Sequence, residues 1–187
     1  MRKDFILPIV VLSLICLFVA GALAVSNNFT EPVITAAAAE RAERARRSIM
    51  PDAEEFELME VSGLPRRVFE VYRTTNNIGY IFMIRTSGYG GEIRLMCGID
   101  MDGKVIGTAT LAQTETKGLG TPIFEEPHAG QYRGRDRNGI EGVAAISGAT
   151  ITSDAFKNGI RDAFTAYEIV KLIPHSPNID NGAEELQ

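Results

Sequence analysis

Apolar residues fall into three regimes along this chain. Residues 6–25 form a run of twenty residues without a charge. At about 1.5 Å of rise per residue, a helix of that length covers about 30 Å, the hydrocarbon thickness of a bilayer. Between residues 57 and 112 the apolar positions alternate or cluster in short stretches, as sheet residues do. The segments 57–61, 67–74, 80–86, 93–100 and 105–112 therefore read as strands, with Asn76-Asn77-Ile78-Gly79 and Asp100-Met101-Asp102-Gly103 as turns. Asp100 and Asp102 predict a hairpin turn and not a calcium loop, since no glutamate follows at EF-hand spacing. Beyond Ser153 the pattern changes to helical spacing, with Phe156, Gly159, Ile160, Ala163, Phe164, Tyr167 and Val170 on one face. The predicted architecture is α+β: a mixed or antiparallel sheet packed by helices, preceded by a transmembrane helix.

The segments between these regimes are polar or glycine-punctuated. Thr30-Glu31-Pro32 reads as a second helix start, with Thr30 as cap. The following stretch to Met50 carries Glu40/Arg44 and Glu43/Arg47 at favourable (i, i+4) spacing, and Pro51 ends it. It is either a stalk that docks on the domain or a solvated linker helix. Residues 116–138 read as loop wrapping a site, with Arg133, Arg135, Asp136 and Arg137 as a solvated cluster and His128 at the surface. Residues 140–146 read as a last strand or extended segment. The expected organisation is 1–28 for the cytoplasmic N-terminus and transmembrane helix, 29–50 for the stalk, 51–173 for the globular domain, and 174–187 for a disordered polar tail.

Residues 6–25 could also be a cleaved secretory signal, with Ala22-Leu23-Ala24 as the cleavage site. An h-region runs only about 7–15 residues, so a retained single span is the better reading. Pro8 falls in the first turn, and Ala20 and Ala24 form a small-xxx-small face for a partner helix. Arg2 and Lys3 precede the span, and no Lys or Arg occurs from there to Arg41. The positive-inside rule then predicts a cytoplasmic N-terminus and an extracytoplasmic domain in the plasma membrane.

Composition narrows the chemistry. A formal net charge of −5 argues against a nucleic-acid partner, and none is expected. Of the two cysteines, Cys16 lies in the span and Cys97 in a predicted strand, so no intrachain disulfide is expected. Two thiols cannot build a four-cysteine iron–sulfur site. The chain has no nucleophile elbow, P-loop or dinucleotide fingerprint, and no metal site or independent catalytic activity is expected. What stands out is Ser147-Gly148-Ala149-Thr150-Ile151-Thr152-Ser153, which places small residues and hydroxyls at a helix start. Unpaired N–H groups and the positive end of the helix dipole favour a phosphate there. A plain helix cap would use the same residue types.

This motif resembles the flavin-attachment sequence of the covalent-FMN subunits of the Rnf and Na⁺-translocating NADH:quinone oxidoreductase complexes. The order of Gly88-Tyr89-Gly90-Gly91-Glu92-Ile93, then residues 98–104, then Glu115-Thr116-Lys117-Gly118-Leu119-Gly120 is similar to that family as well. The likeness covers about residues 6–172, and the length and short spacers are most similar to the G subunit of the Rnf complex. Ala144 stands where the family usually has an acidic residue, and Gln113 where it commonly has histidine.

The resemblance implies FMN held on Thr150 through a phosphoester. Ser147, Gly148, Ala149, Thr152 and Ser153 would surround its phosphate. Leu119 and the Gly118/Gly120 backbone would lie against the ring, with Glu115 and Thr116 beside its polar edge and Tyr89 on the glycine loop. It further implies an electron carrier among other subunits of a membrane redox complex linking ferredoxin and NAD⁺ to ion translocation, matured by a flavin transferase. The alternatives are the C subunit of the related quinone-reducing complex and a non-redox, membrane-tethered structural or sensory domain.

Overall fold

The computed structural model describes residues 2–173, with side chains from residue 6 onward. The expectation of a disordered tail at 174–187 lies outside the described residues. The chain forms two compact units, Met1–Arg44 and the remainder from Ala45.

The first unit is a single helix. Helix α1 spans Arg2–Ile49, and only its last turn belongs to the second unit. It is long and apolar enough to cross a membrane, with an 18-residue window of mean hydropathy 2.8, none of it buried. The helix start expected at Thr30 does not exist. Thr30 lies inside α1 and its hydroxyl donates to the Ser26 carbonyl at 2.9 Å, an i−4 bond within the helix and not a cap. Pro32 is likewise interior; its ring nitrogen leaves the carbonyl one turn back without its usual donor. Glu40 and Arg44 pair at 3.6 Å, both largely exposed, so the pair contributes only a few tenths of a kcal/mol. The helix stops at Ile49, and Pro51 disfavours helical geometry in the residue before it.

The second unit is a five-stranded antiparallel meander in the order β1 (Phe56–Met59), β2 (Val68–Thr74), β3 (Gly79–Ser87), β4 (Glu92–Asp100) and β5 (Val105–Ala112). Tight turns give the order, because consecutive antiparallel strands need only short connections. The β4–β5 turn shows how: Asp100 Oδ1 accepts from the Asp102 and Lys104 N–H groups at 3.0 and 2.8 Å, and Gly103 takes a φ of +77°.

The central strand β3 is buried on both faces, from Gly79 through Ile84. Tyr80, Phe82 and Ile84, with Ile93, Leu95, Cys97 and Ile99 of β4, form the main core with helix α3 (Thr150–Lys171). Gly159 lets that helix approach; a Cβ there would sit 3.1 Å from Ile84 Cγ2. Burial pushes the Cys97 thiol up to about 12, so it acts as a small core residue. The opposite face buries Ile81, Met83 and Met96. Ile49 and Met50 cover it where Gly98 leaves room, since a Cβ at Gly98 would meet Ile49 Cγ2 at 2.4 Å. Arg46 stacks over the Tyr72 ring at 4.4 Å beside them.

The connection from β5 to α3 departs from expectation in three places. Residues 140–146 form no strand; a 3₁₀ turn at Gly139–Gly142 is followed by irregular chain. Residues 116–138 contain short helical turns at Thr121–Phe124, α2 (Glu126–Ala129) and Gly130–Tyr132. Arg135 is not merely solvated. Its guanidinium donates to the Gln131 and Gly139 carbonyls at 2.5 and 2.9 Å and holds the loop closed.

His128 is buried and not at the surface, at 5% exposure, edge-on to Tyr132 at 5.9 Å. Its Nε2 has no hydrogen-bond partner among the described residues. Burial, reinforced by the charge of Lys157, holds the imidazole below its ordinary value. A depressed imidazole stabilises the fold fully above its unfolded value near 6.5 and less as the pH falls through its folded value. Thermal unfolding should therefore show stability falling on acidification below about pH 6.5, with a smaller fall in His128→Phe. An identical pH slope in the two proteins would contradict this account.

Candidate functional site

Helix α3 begins at Thr150, with Ala149 at its N-cap in a non-helical conformation (φ −128°, ψ 33°). Alanine offers no capping oxygen, so the first-turn N–H groups of Thr150, Ile151 and Thr152 have no side-chain cap. The first turn contains no acidic residue. The positive end of the helix dipole is therefore unneutralised by its own turn. Gly148 turns the chain into the helix with a φ of +81°, which an L side chain rarely adopts.

A cavity of about 270 Å³ opens at this helix start, lined by Tyr89, Glu115, Thr116, Leu119, Gly120 and residues 148–152. Three chain segments far apart in sequence meet here. The glycine loop after β3 carries Tyr89, the turn after β5 carries residues 115–120, and the third segment is the α3 start. Nine of the twelve residues singled out from sequence line the cavity. Gly118, Ser147 and Ser153 do not.

Glu115 joins the three segments. Its carboxylate is 8% exposed; Oε1 accepts from the Gly90 N–H at 2.9 Å and Oε2 from the Thr152 hydroxyl at 2.8 Å. The Gln113 side chain accepts from the Glu115 N–H at 2.6 Å, and the Thr114 hydroxyl donates to the Gly90 carbonyl at 2.9 Å. The glycines are required by this packing. A Cβ at Gly88 would lie 2.2 Å from Glu115 Oε1, one at Gly90 2.4 Å from the Thr114 carbonyl, and one at Gly120 2.8 Å from Glu115 Cβ.

The hydroxyls of the motif divide sharply. Thr152 is buried and its proton is committed to Glu115. Ser153 is buried, and its Oγ accepts from the Ile146 N–H at 3.1 Å, away from the cavity. Thr150 is exposed, lines the cavity and makes no side-chain hydrogen bond among the described residues. Ser147 is exposed but lies off the cavity wall.

Two features escaped sequence reasoning. Ile151 is 58% exposed and lines the cavity. Its position out of phase with the buried face of α3 was the available signal. The segment before the motif is also strapped to α3. Lys157 Nζ donates to the Val143 and Glu141 carbonyls at 2.6 and 3.4 Å, and Arg161 grips the Glu141 carboxylate with two bonds of 2.8–2.9 Å. Nothing in the spacing of these residues announced such long-range partners.

The donor set fits FMN. At about 270 Å³ the cavity falls just below the roughly 300–1,000 Å³ typical of whole-ligand sites, and Leu119 and Gly120 on its wall offer surface to a planar ring. The uncapped helix start beside it suits a phosphate.

Comparison with known proteins agrees with this chemistry. Residues 88–165 match the FMN-binding domain family. The chain is 28% identical to the G subunit of the Na⁺-translocating ferredoxin:NAD⁺ oxidoreductase complex of Acetobacterium woodii, over 84% of this chain and 89% of that protein. It is 27% identical to the G subunit of the proton-translocating ferredoxin:NAD⁺ oxidoreductase complex of Clostridium ljungdahlii, over 81% and 85%. It is 30% identical to the G subunit of the ion-translocating oxidoreductase complex of Methanosarcina acetivorans, over 86% and 93%.

The tie between Thr152 and Glu115 is testable by itself. Thr152→Val keeps the shape but leaves a buried carboxylate oxygen without its donor, and should cost about 1.5–3 kcal/mol in denaturant unfolding. Thr152→Ser should recover most of that loss. A Thr152→Val protein as stable as wild type would show that the bond does not hold the site together.

Proposed function

The chain belongs to the family of G subunits of ion-translocating oxidoreductase complexes, and from that premise we propose that it carries electrons within such a membrane complex using FMN esterified to Thr150. The observation that carries the attachment point is the division of hydroxyls at the α3 start. Among the hydroxyls of residues 147–153, Thr150 alone combines a place on the cavity wall with a side chain unengaged among the described residues.

FMN supplies the redox chemistry when bound, so the protein has only to hold and orient it. Thr150 provides the ester oxygen, and the first-turn N–H groups of α3 stabilise the phosphate charge. Gly148 and Ala149 keep side chains away from that phosphate. Leu119, Gly120 and Ile151 present apolar surface to a ring and exclude water from one side of it. Glu115 acts by fixing the glycine loop against α3, and Tyr89 on that loop closes the cavity wall. A covalent ester prevents loss of the cofactor where no flavin pool replaces it. Forming that ester requires a flavin transferase and a flavin dinucleotide donor: the Thr150 hydroxyl gives up its proton, its Oγ1 bonds the flavin-side phosphorus, and the phosphoanhydride bond to the departing nucleoside monophosphate breaks.

Coexpressed with a flavin transferase, the chain should run as a fluorescent band on a denaturing gel, and Thr150→Ala should abolish the fluorescence. Flavin retained after denaturation in Thr150→Ala would reject the assignment. Ala144 is exposed just upstream of the motif and does not line the cavity; any influence it has on attachment acts through the transferase.

In the same proposal, residues 1–28 comprise the cytoplasmic N-terminus and the membrane span, residues 29–50 serve as stalk, and the flavin domain faces outward. Protease added to right-side-out vesicles should remove the domain and leave a small membrane-held fragment. Protection there, with cleavage only in inverted vesicles, would reverse the orientation and place the flavin on the cytoplasmic side.

A further inference from the structure

Outside the flavin site, the structure concentrates positive charge at one end of the sheet, on a chain whose net charge is −5. Arg85 of β3 and Arg94 of β4 stand directly opposite each other across the two strands. Like charges in that register destabilise a sheet. One carboxylate serves both: Glu92 lies 2.6 Å from Arg94 Nε and 3.5 Å from Arg85 Nε. Arg67 reaches Asp162 at 2.9 Å, and Arg66 makes no ion pair among the described residues. Four guanidiniums therefore share two carboxylates. Arg85 also lies over the ring of Phe69, 5.1 Å from its centroid, and that ring remains 39% exposed. An open cavity of about 590 Å³ lies among Arg66, Arg67, Arg85, Ser87 and Glu92, larger than the flavin cavity. Ser87 adjoins Gly88, so this surface borders the glycine loop of the flavin site.

We propose that this face, centred on the Arg85–Arg94 pair, docks a carboxylate-bearing surface of another protein of the complex. The inference rests on the reading of the chain as one member of such a complex. Arginine in place of lysine favours planar, two-pronged recognition of carboxylates, and the Phe69 shelf and Glu92 hold the forks in place before a partner arrives. The exposed ring beside them matches the mixed apolar and charged character of protein interfaces. A lipid surface is served instead by loosely held basic runs beside a span, and none follows residues 6–25 here. An incoming carboxylate relieves the repulsion between Arg85 and Arg94, so the cost built into the free domain becomes a gain on docking.

The test uses the assembled complex. Arg85→Lys and Arg94→Lys keep the charge and introduce an amine that a carbodiimide joins to a carboxylate within contact distance. Each should give an interchain cross-link to an Asp or Glu of a neighbouring protein, identified by peptide mass spectrometry, that wild type lacks at those peptides. The double variant Arg85→Glu/Arg94→Glu should reduce retention of the chain in the complex about tenfold or more at low salt, with an unchanged far-ultraviolet spectrum showing that the domain remains folded. Absence of any interchain cross-link together with full retention of the reversed variant would overturn the proposal. So would a reversed variant that stays in the complex but loses binding to vesicles of mixed anionic and neutral lipid, since that outcome assigns the face to the membrane. If wild type itself fails to co-purify with other proteins of the complex, the reading as a complex member fails first and the docking face with it.

Discussion

The buried carboxylate of Glu115 is the constraint on which the candidate site depends. A charge removed from water needs partners, and this one has the Gly90 N–H and the Thr152 hydroxyl at 2.9 and 2.8 Å. Those two donors come from elements separated by 25 and 37 positions in sequence from Glu115 itself. Satisfying the charge therefore forces the loop after β3, the turn after β5 and the start of α3 into one place. The glycines at 88, 90 and 120 follow from the same requirement, since a side chain at any of them would occupy the space that Glu115 and its neighbours fill.

That arrangement also distributes the hydroxyls. Once Thr152 is held by Glu115 and Ser153 by the Ile146 N–H, Thr150 is left facing the cavity at the uncapped end of a 22-residue helix. Lys157 and Arg161 strap the preceding segment to the same helix, so both sides of the motif turn are anchored on α3. A group attached at Thr150 would sit on rigid scaffold and not on a free loop, which suits a carrier whose cofactor must keep a fixed position.

Much of this was legible in the sequence. Strand positions followed from alternation: the segment predicted as 105–112 is β5, and 93–100 is β4 to within one residue. The α3 face followed from helical spacing, with Phe156, Ile160, Ala163, Phe164, Tyr167 and Val170 all buried. Most cavity residues were identifiable because the motif and the glycine segments resemble a known family. What escaped depended on contacts between distant segments. Thr30 carries the residue type of a cap, yet α1 continues through it and its hydroxyl bonds back to the Ser26 carbonyl within the helix. Residues 140–146 look like a strand in composition, but they form a 3₁₀ turn and irregular chain whose Glu141 and Val143 are held by Lys157 and Arg161 of α3. His128 sits in a polar segment and is buried by packing against Tyr132. Residue type could suggest that Glu115 touches the site, but only the fold shows that both of its oxygens are engaged within the protein.

The central claim is that one hydroxyl among several at the α3 start takes the flavin, selected by which side chains the fold leaves unengaged. Fragmentation mass spectrometry of the peptide spanning residues 138–157, from chain matured with a flavin transferase, tests this most directly. The account predicts the mass of an FMN ester on Thr150 alone. Localisation of that mass to Thr152 or Ser153 would contradict it, because each would first have to give up the hydrogen bond that organises the site.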